Sequence, residues 1–278
     1  MRILAGTLLP LLLLLPLSSQ GSSAAPARIA IILDDIGYNR SRGEQALQLP
    51  PEVTFSVIPF TPHSKSLAQK AHAQQREILL HLPMESADHD RRLDEGGLTQ
   101  QQPEEEIRAR VNAAIAAVPH AIGLNNHMGS GLTTDPRRMG WVMEEVRRTP
   151  LFFIDSMTSA ESVAGSTARR LQIPAIRRDV FLDNQPDTIA IDSAFRLLLQ
   201  KARRDGYAVA IGHPHAATLR YLEQALPRLA DEGIELVPVS RLAYQYGRAL
   251  DPPGRWQDLM QLIIAMPAPS STRLDFSR

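Results

Sequence analysis

Apolar residues in this chain gather in short unbroken runs, and most of the runs stop at a polar cluster. Ile29-Ala30-Ile31-Ile32-Leu33 stops at Asp34-Asp35, and Ile78-Leu79-Leu80 at His81-Leu82-Pro83-Met84-Glu85. Ala121-Ile122-Gly123-Leu124 stops at Asn125-Asn126-His127-Met128-Gly129-Ser130. Leu151-Phe152-Phe153-Ile154 stops at Asp155-Ser156, and Tyr207-Ala208-Val209-Ala210-Ile211 at Gly212-His213-Pro214-His215. Continuous runs rich in Ile, Leu and Val are the mark of parallel strands buried on both faces. The pattern predicts strands at 28–34, 53–58, 77–82, 121–125, 151–155, 207–212 and 234–239, with a weaker one near 173–183.

Helical patterns lie between the strands. Pro103 followed by Glu104-Glu105-Glu106 suits a helix start, with acids at the positive end of the dipole. Ile107, Val111, Ile115 and Val118 then share one face. Asp135-Pro136 caps and opens a second helix whose inward residues are Met139, Val142, Met143 and Val146. Phe195, Leu198, Leu199 and Ala202 mark a third, which Gly206 can close. Leu219, Leu222, Leu226 and Leu229 mark a last one, ended by Gly233. Strand and helix alternating seven or eight times in about 220 residues predicts an α/β fold, a barrel or a doubly wound sheet. In both, active sites lie just past the carboxyl ends of the strands, where these polar clusters fall.

Composition narrows the partners. The chain has 278 residues with 30 basic and 30 acidic side chains and no basic tract, so nucleic acid is not an expected partner. It has no cysteine, which excludes disulfides, thiolate ligands and a cysteine nucleophile. Arg2, the leucine-rich stretch 8–17 and the small residues Ser22-Ser23-Ala24 and Ala25-Pro26-Ala27 read as an export signal over 1–25. Its apolar core of about ten residues is short of the roughly 20 needed to span a bilayer. The folded unit is expected over 26–247, in the periplasm or cell envelope. A membrane enters only if the signal is retained as an anchor. The polar segment 86–102 is expected as a long loop near the site. The tail 248–278 is expected to be partly disordered, with a short helix over 256–264.

Each cluster has a functional and a plain reading. Asp34 and Asp35 can hold a metal and act as a base, or cap the next helix. Desolvating two carboxylates is costly without a cation or donors nearby. His81 and Glu85 make a reasonable zinc pair, or His81 is a lone core histidine. Asn125, Asn126 and Ser130 suit sugar hydroxyls or an oxyanion, and His127 is a candidate ligand; alternatively the run is a glycine-rich turn bonded to its own backbone. His213 or His215 can be a general acid with a pKa near neutrality or a further ligand. Asp155 can orient a histidine or cap a helix. Arg177, Arg178, Asp179 and Asp183 read as a strand end with ion pairs. His63, His72, His89 and His120 read as surface residues. No phosphate loop, nucleophile elbow or helical His-Glu-x-x-His is present.

Five motifs in this order resemble the divergent polysaccharide deacetylases, over roughly Arg28 to Tyr246: Leu33-Asp34-Asp35-Ile36-Gly37, His81-Leu82-Pro83-Met84-Glu85, Asn125-Asn126-His127-Met128-Gly129-Ser130, Phe153-Ile154-Asp155-Ser156 and Gly212-His213-Pro214-His215. The resemblance implies an irregular (β/α) barrel of about seven strands and a divalent metal, often zinc, held by one Asp and two His. It implies removal of an N- or O-acetyl group from a sugar polymer, here an envelope glycan. By position Asp34 matches the general base, Asp35 and His81 two metal ligands, and a histidine of the 213–215 motif the general acid. Two departures stand out. Ile36 precedes Gly37, and Glu85 occupies the place of the second histidine of His-x-x-x-His. The third ligand is then Glu85, His127 or a late histidine, with His127 preferred because it too follows a buried strand. Two rivals remain at this level: a glycan-binding wall protein without catalysis, and a glycosidase using two carboxylates such as Asp34 and Asp155.

Overall fold

The computed structural model describes residues 26–88 and 91–247. The expected signal, the expected tail with its helix at 256–264, and His89 lie outside the described residues.

Among the described residues, nine strands run parallel in one sheet: β1 (Ala27–Ile36), β2 (Thr54–Val57), β3 (Ile78–Met84), β4 (Ala121–Met128), β5 (Phe152–Asp155), β6 (Ala175–Arg177), β7 (Val180–Phe181), β8 (Tyr207–Gly212) and β9 (Ile234–Leu236). Helices α1 (Arg40–Ala46), α2 (Ser64–Ala73), α3 (Glu104–Ala117), α4 (Pro136–Arg147), α5 (Ala164–Arg170), α6 (Thr188–Asp205) and α7 (Ala216–Ala225) connect them. A further helix, α8 (Val239–Tyr246), follows β9.

The sheet order is β6-β5-β4-β3-β2-β1-β8-β7. Its two edge strands, β6 and β7, are separated in the chain only by Arg178 and Asp179. One kinked segment therefore pairs through its first half with β5 and through its second with β8. This joins the edges and curls the sheet into an irregular α/β barrel. Counted as a single stave, β6–β7 makes seven staves around the ring, as the resemblance implied. The weak apolar pattern near 173–183 reflects that split. β9 pairs with Ala27–Ile29 at the start of β1, whereas β2 pairs with Ile32–Ile36 further along. β8 occupies the opposite edge of β1, so β9 wedges between β1 and β2 at the amino-terminal end.

Strand alternation sorts side chains onto two faces. Outward residues such as Ile29, Ile31, Leu33, Phe55, Leu80 and Leu82 pack against Leu67, Ile107, Val111, Met139, Val142, Leu198 and Leu219 of the helices. Inward residues Ala30, Ile32, Leu79, Phe152, Ile154, Ile176, Val209 and Ile211 form a separate core with Val239, Leu242, Ala243 and Tyr244 of α8. α8 is the floor of the barrel. The Glu77 carboxylate at the foot of β3 accepts from Ser240 N (3.0 Å) and Ser240 Oγ, and at the far end of α8 Tyr246 stacks on Tyr207 at the foot of β8.

The helix expectations hold with local shifts. Pro103 sits at the cap position of α3, with the three glutamates in its first turn. Asp135 caps α4 by accepting from Arg137 N and Arg138 N, both at 3.0 Å. Gly206 ends α6 in a left-handed conformation, φ 84°. The predicted helix through Leu229 stops at Ala225, because Pro227 lacks an N–H; the chain tightens into 3-10 turns there.

Candidate metal centre

The inward rows that line the core turn polar two residues further on. Above Ile32 stands Asp34, above Thr54 Ser56, above Leu79 His81, above Gly123 Asn125, and above Ile211 His213. At this level the β1–β2 register shifts between Leu33 and Ile36, a bulge that leaves one extra residue on β1. Bulges re-aim side chains beside active sites. Asp35 takes the left-handed conformation, φ 58°, so its carboxylate joins that of Asp34 at the same mouth.

Asn125 organises the buried side of the mouth. Its Nδ2 donates to Asp34 Oδ1 (2.9 Å) and Oδ2 (3.2 Å), which fixes the orientation of its amide. Its Oδ1 accepts from Ser56 Oγ and lies 2.8 Å from His81 Nδ1. The His81 Nδ1–H therefore donates to the amide, leaving the Nε2 lone pair facing inward. That Nε2 is 3.3 Å from Asp35 Oδ1 and 3.4 Å from Asp34 Oδ2. Asp34, His81 and Asn125 are 3%, 2% and 0% exposed.

His127, at the end of β4, completes the cluster. Its Nδ1 is 3.0 Å from Asp35 Oδ1 and 3.1 Å from His81 Nε2. Asp35 Oδ1 is buried and has no hydrogen-bond donor. Three donor atoms at mutual separations of 3.0–3.3 Å match the spacing of about 3.3 Å that tetrahedral ligands adopt at zinc bond lengths of about 2.0–2.1 Å. One carboxylate and two imidazoles also form a donor set suited to a catalytic zinc. Asp35, His81 and His127 thus fit a divalent metal. Without one, burial alone would raise the Asp35 pKa, but the adjacent His127 and His81 imidazoles hold it well below the carboxylate range. Burial alone would depress His127, but Asp35 and Asp94 raise it to about 9, so a metal must displace a proton there.

Two further groups face the mouth. His213 Nε2 is 3.7 Å from Asp35 Oδ2, while its Nδ1 lies 2.9 Å from Asp183 Oδ1. Asp183 Oδ2 accepts from His213 N and Thr218 Oγ1, both at 2.7 Å. Desolvation of His213 is outweighed by the Asp183 bond and by the charges of Asp35 and Asp34, and its pKa rises to about 9. Arg178, in the kink between β6 and β7, donates to Ser156 O (2.7 Å) and Met157 O (2.8 Å) and lies over Phe181.

The remaining predicted residues lie outside this group. Glu85, expected as a ligand, instead accepts from Gln100 N at 2.6 Å, while its carbonyl accepts from Gly131 N and Leu132 N. Glu85 lies just past the end of β3, where its carboxylate turns to the 86–102 loop. Asn125 and Asn126, expected on substrate, are buried. Asn126 donates to Met128 O (2.8 Å) and accepts from Ser156 N (2.9 Å), tying two loops. Ser130 bonds Ser86 Oγ and Ala87 N, both at 3.0 Å. Asp155 accepts from Met157 N, Ser162 Oγ and Gly165 N at 2.8–3.0 Å, so its carboxylate is engaged at the start of α5. His215 precedes α7 beside Asp183 and His213, but both oxygens of Asp183 are committed to His213 and Thr218. His72 and His120, expected as unpartnered surface residues, stack on each other at 3.8 Å.

Sequence reasoning missed two participants. Asp94 Oδ2 is 3.0 Å from His127 Nε2, and its other oxygen accepts from Tyr38 OH. Asp94 lies in the 86–102 loop, whose nearness to the site was expected, but nothing in the pattern singled it out. Asp183 was read only as an ion-pair residue.

The family model for divergent polysaccharide deacetylases matches residues 31–243, and the chain belongs to that family. An uncharacterized protein of Haemophilus influenzae is 33% identical over 249 residues, covering 90% of this chain and 86% of that one. The uncharacterized protein YibQ of Escherichia coli is 36% identical over 221 residues, covering 80% and 69%. The crystal structure of an uncharacterized protein from Agrobacterium tumefaciens superposes with a TM-score of 0.76 at 26% identity, covering 80% of this chain and 91% of that one.

Proposed function

We propose that this protein is an exported, metal-dependent hydrolase that removes acetyl groups from an envelope polysaccharide. The observation that carries the reading is the convergence of Asp35 Oδ1, His81 Nε2 and His127 Nδ1 within 3.0–3.3 Å of one another, flanked by Asp34 and His213. Family membership supports the acetylated-glycan substrate, and the donor set suits zinc. Export rests on the signal-like residues 1–25.

Asp35, His81 and His127 would hold the ion, which when bound supplies Lewis acidity to an acetyl carbonyl and to water. Asp34 is placed to take the proton of the attacking water, its carboxylate held in place by Asn125. His213, raised to about 9, is protonated at neutral pH and is placed to give its Nε2 proton to the departing nitrogen or oxygen. Asp183 receives its Nδ1–H and keeps the ring turned toward the mouth. Water adds to the acetyl carbon, the bond to the sugar nitrogen or oxygen breaks, and acetate leaves. One water proton passes to Asp34, His213 gives one to the departing nitrogen or oxygen, and the other water proton stays on the new carboxyl group until it ionises to acetate in solvent.

The test is acetate release by the purified protein from N-acetylglucosamine oligomers and from O-acetylated envelope glycan. Release that stops with chelator and returns with zinc is the expected result. Glycan binding that survives chelation, without acetate release, would establish the non-catalytic reading instead.

A further inference from the structure

The two candidate imidazole ligands are supported in different ways. His81 donates its outer N–H to a neutral amide, Asn125, on the adjacent strand. His127 presents its outer nitrogen to a carboxylate, Asp94, on a loop. The imidazole of His127 stands between Asp94 and the cluster, since Nδ1 faces Asp35 and Nε2 faces Asp94. Asp94 is therefore placed behind a ligand rather than among the ligands. A proton held on Nε2 by a carboxylate leaves the Nδ1 lone pair bare and makes the ring a stronger donor.

The loop is fastened at Asp94 and beyond it. Leu98 pairs with Met84, with Leu98 N donating to Pro83 O (2.9 Å) and Glu85 N to Leu98 O (2.8 Å). Glu85 Oε2 then accepts from Gln100 N. Tyr38 donates to Asp94 itself, and the Phe60 ring lies so close over Gly96 that a Cβ there would come within 2.5 Å of it. Gly96 also has φ 77°, a conformation that favours glycine. Leu98 is fully buried although it belongs to an otherwise polar segment. Fixed at Leu98, at Gly96 and through Tyr38, the loop holds one oxygen of Asp94 against His127.

We propose that Asp94 is a positioning residue for the metal centre: it sets the proton of His127 on Nε2, turns Nδ1 toward Asp35 and His81, and thereby couples the 91–98 loop to metal occupancy. The inference rests on the metal-dependent reading above. It also gives Glu85 a place, as part of the fastening of that loop in a chain where the usual second histidine of the motif is missing.

The test measures zinc affinity of the full chain by competition with a chromogenic chelator, for wild type, Asp94→Asn, Asp94→Ala and Glu95→Gln. Melting of each metal-free form reports whether it folds. Loss of a carboxylate behind a ligand histidine costs about 10–100-fold in metal affinity, which is expected for Asp94→Ala. Asp94→Asn keeps an acceptor but loses the charge, and is expected to lose less. Glu95→Gln, an exposed neighbour, controls for loop charge and is expected to match wild type. Hydrogen exchange at 91–98 is expected to slow on zinc addition in wild type and to remain unchanged by zinc in Asp94→Ala. Wild type that binds zinc while both Asp94 variants bind it equally well overturns this inference alone. Wild type that takes up no zinc, manganese or cobalt overturns the metal-dependent reading, and this inference with it. If Asp94→Ala does not fold, Asp94→Asn decides by the same comparison.

Discussion

The lower and upper halves of the barrel interior are built on the same strands with the same alternation, yet they hold opposite contents. Ile32, Leu79 and Ile211 meet α8 in a sealed apolar layer. Two residues on, Asp34, His81 and His213 occupy the equivalent inward positions. The lower layer meets mainly by shape, with Thr54 and Glu77 at its foot bonded to Val239 and Ser240 of α8. In the upper layer burial is costly for every polar group that lacks a partner, and Asn125 alone satisfies Asp34, Ser56 and His81. One oxygen there, Asp35 Oδ1, is left without a donor. One half is therefore held by apolar packing, and the other by a network of paired polar groups that centres on Asn125.

Substitutions can break that contrast, and the largest effect is expected at Asp34. Asp34→Asn should lower acetate release by about 10²–10⁴-fold, the range for loss of a positioned base, while metal content measured by elemental analysis stays at the wild-type level. Unchanged turnover would reassign the base. Phe152→Ala, in the lower layer, should cost about 3–5 kcal/mol in urea unfolding and leave the turnover of the folded fraction close to wild type. Asn125→Leu tests whether the upper layer depends on pairing rather than shape. It strands buried polar atoms on Asp34, Ser56 and His81, and a loss of about 1–3 kcal/mol is expected for an unsatisfied buried group. A stability equal to wild type would show that those groups reach other partners.

The smallest effect concerns pH. His213 is raised from 6.5 to about 9 chiefly through Asp183, against desolvation. Its pairing stabilises the metal-free fold fully below about pH 6.5, and that stability is lost as pH rises through about 9. His127 adds a second contribution over the same window. The informative quantity is thus the difference between wild type and Asp183→Asn in melting temperature from pH 6 to 10. In the variant the His213 part of the decline should move down toward its ordinary pKa. Superimposable curves would mean that Asp183 does not set the charge of His213.

Much of this was legible in the sequence because strands place residues by count. A residue ending a buried run in a parallel sheet has few places to go, so Asp34, Asp35, His81, His127 and the 213–215 motif could be gathered at one end, while the choice between His213 and His215 stayed open. The helix faces around Ile107, Met139, Phe195 and Leu219 were legible for the same reason. Asn125, Asn126, Ser130 and Asp155 show where this reasoning stops. Their polarity was clear, but a one-dimensional pattern does not say whether an amide or carboxylate faces a ligand or a neighbouring strand, and these four bond within the scaffold. Asp94 shows the complementary limit, since a loop residue has no periodicity to fix its direction. The splitting of residues 173–183 into β6 and β7 was blurred because each half pairs with a different neighbour over only two or three residues.

The position of α8 has a bearing on how the molecule meets its surroundings. β1 starts at the floor that α8 closes, and Gly247, just past α8, accepts from Ala175 N at the foot of β6. The chain thus enters and leaves the barrel at the pole opposite Asp35 and the two imidazoles. A tether joined at either end would grip the molecule from behind, leaving the mouth that holds Asp35 and the two imidazoles turned outward.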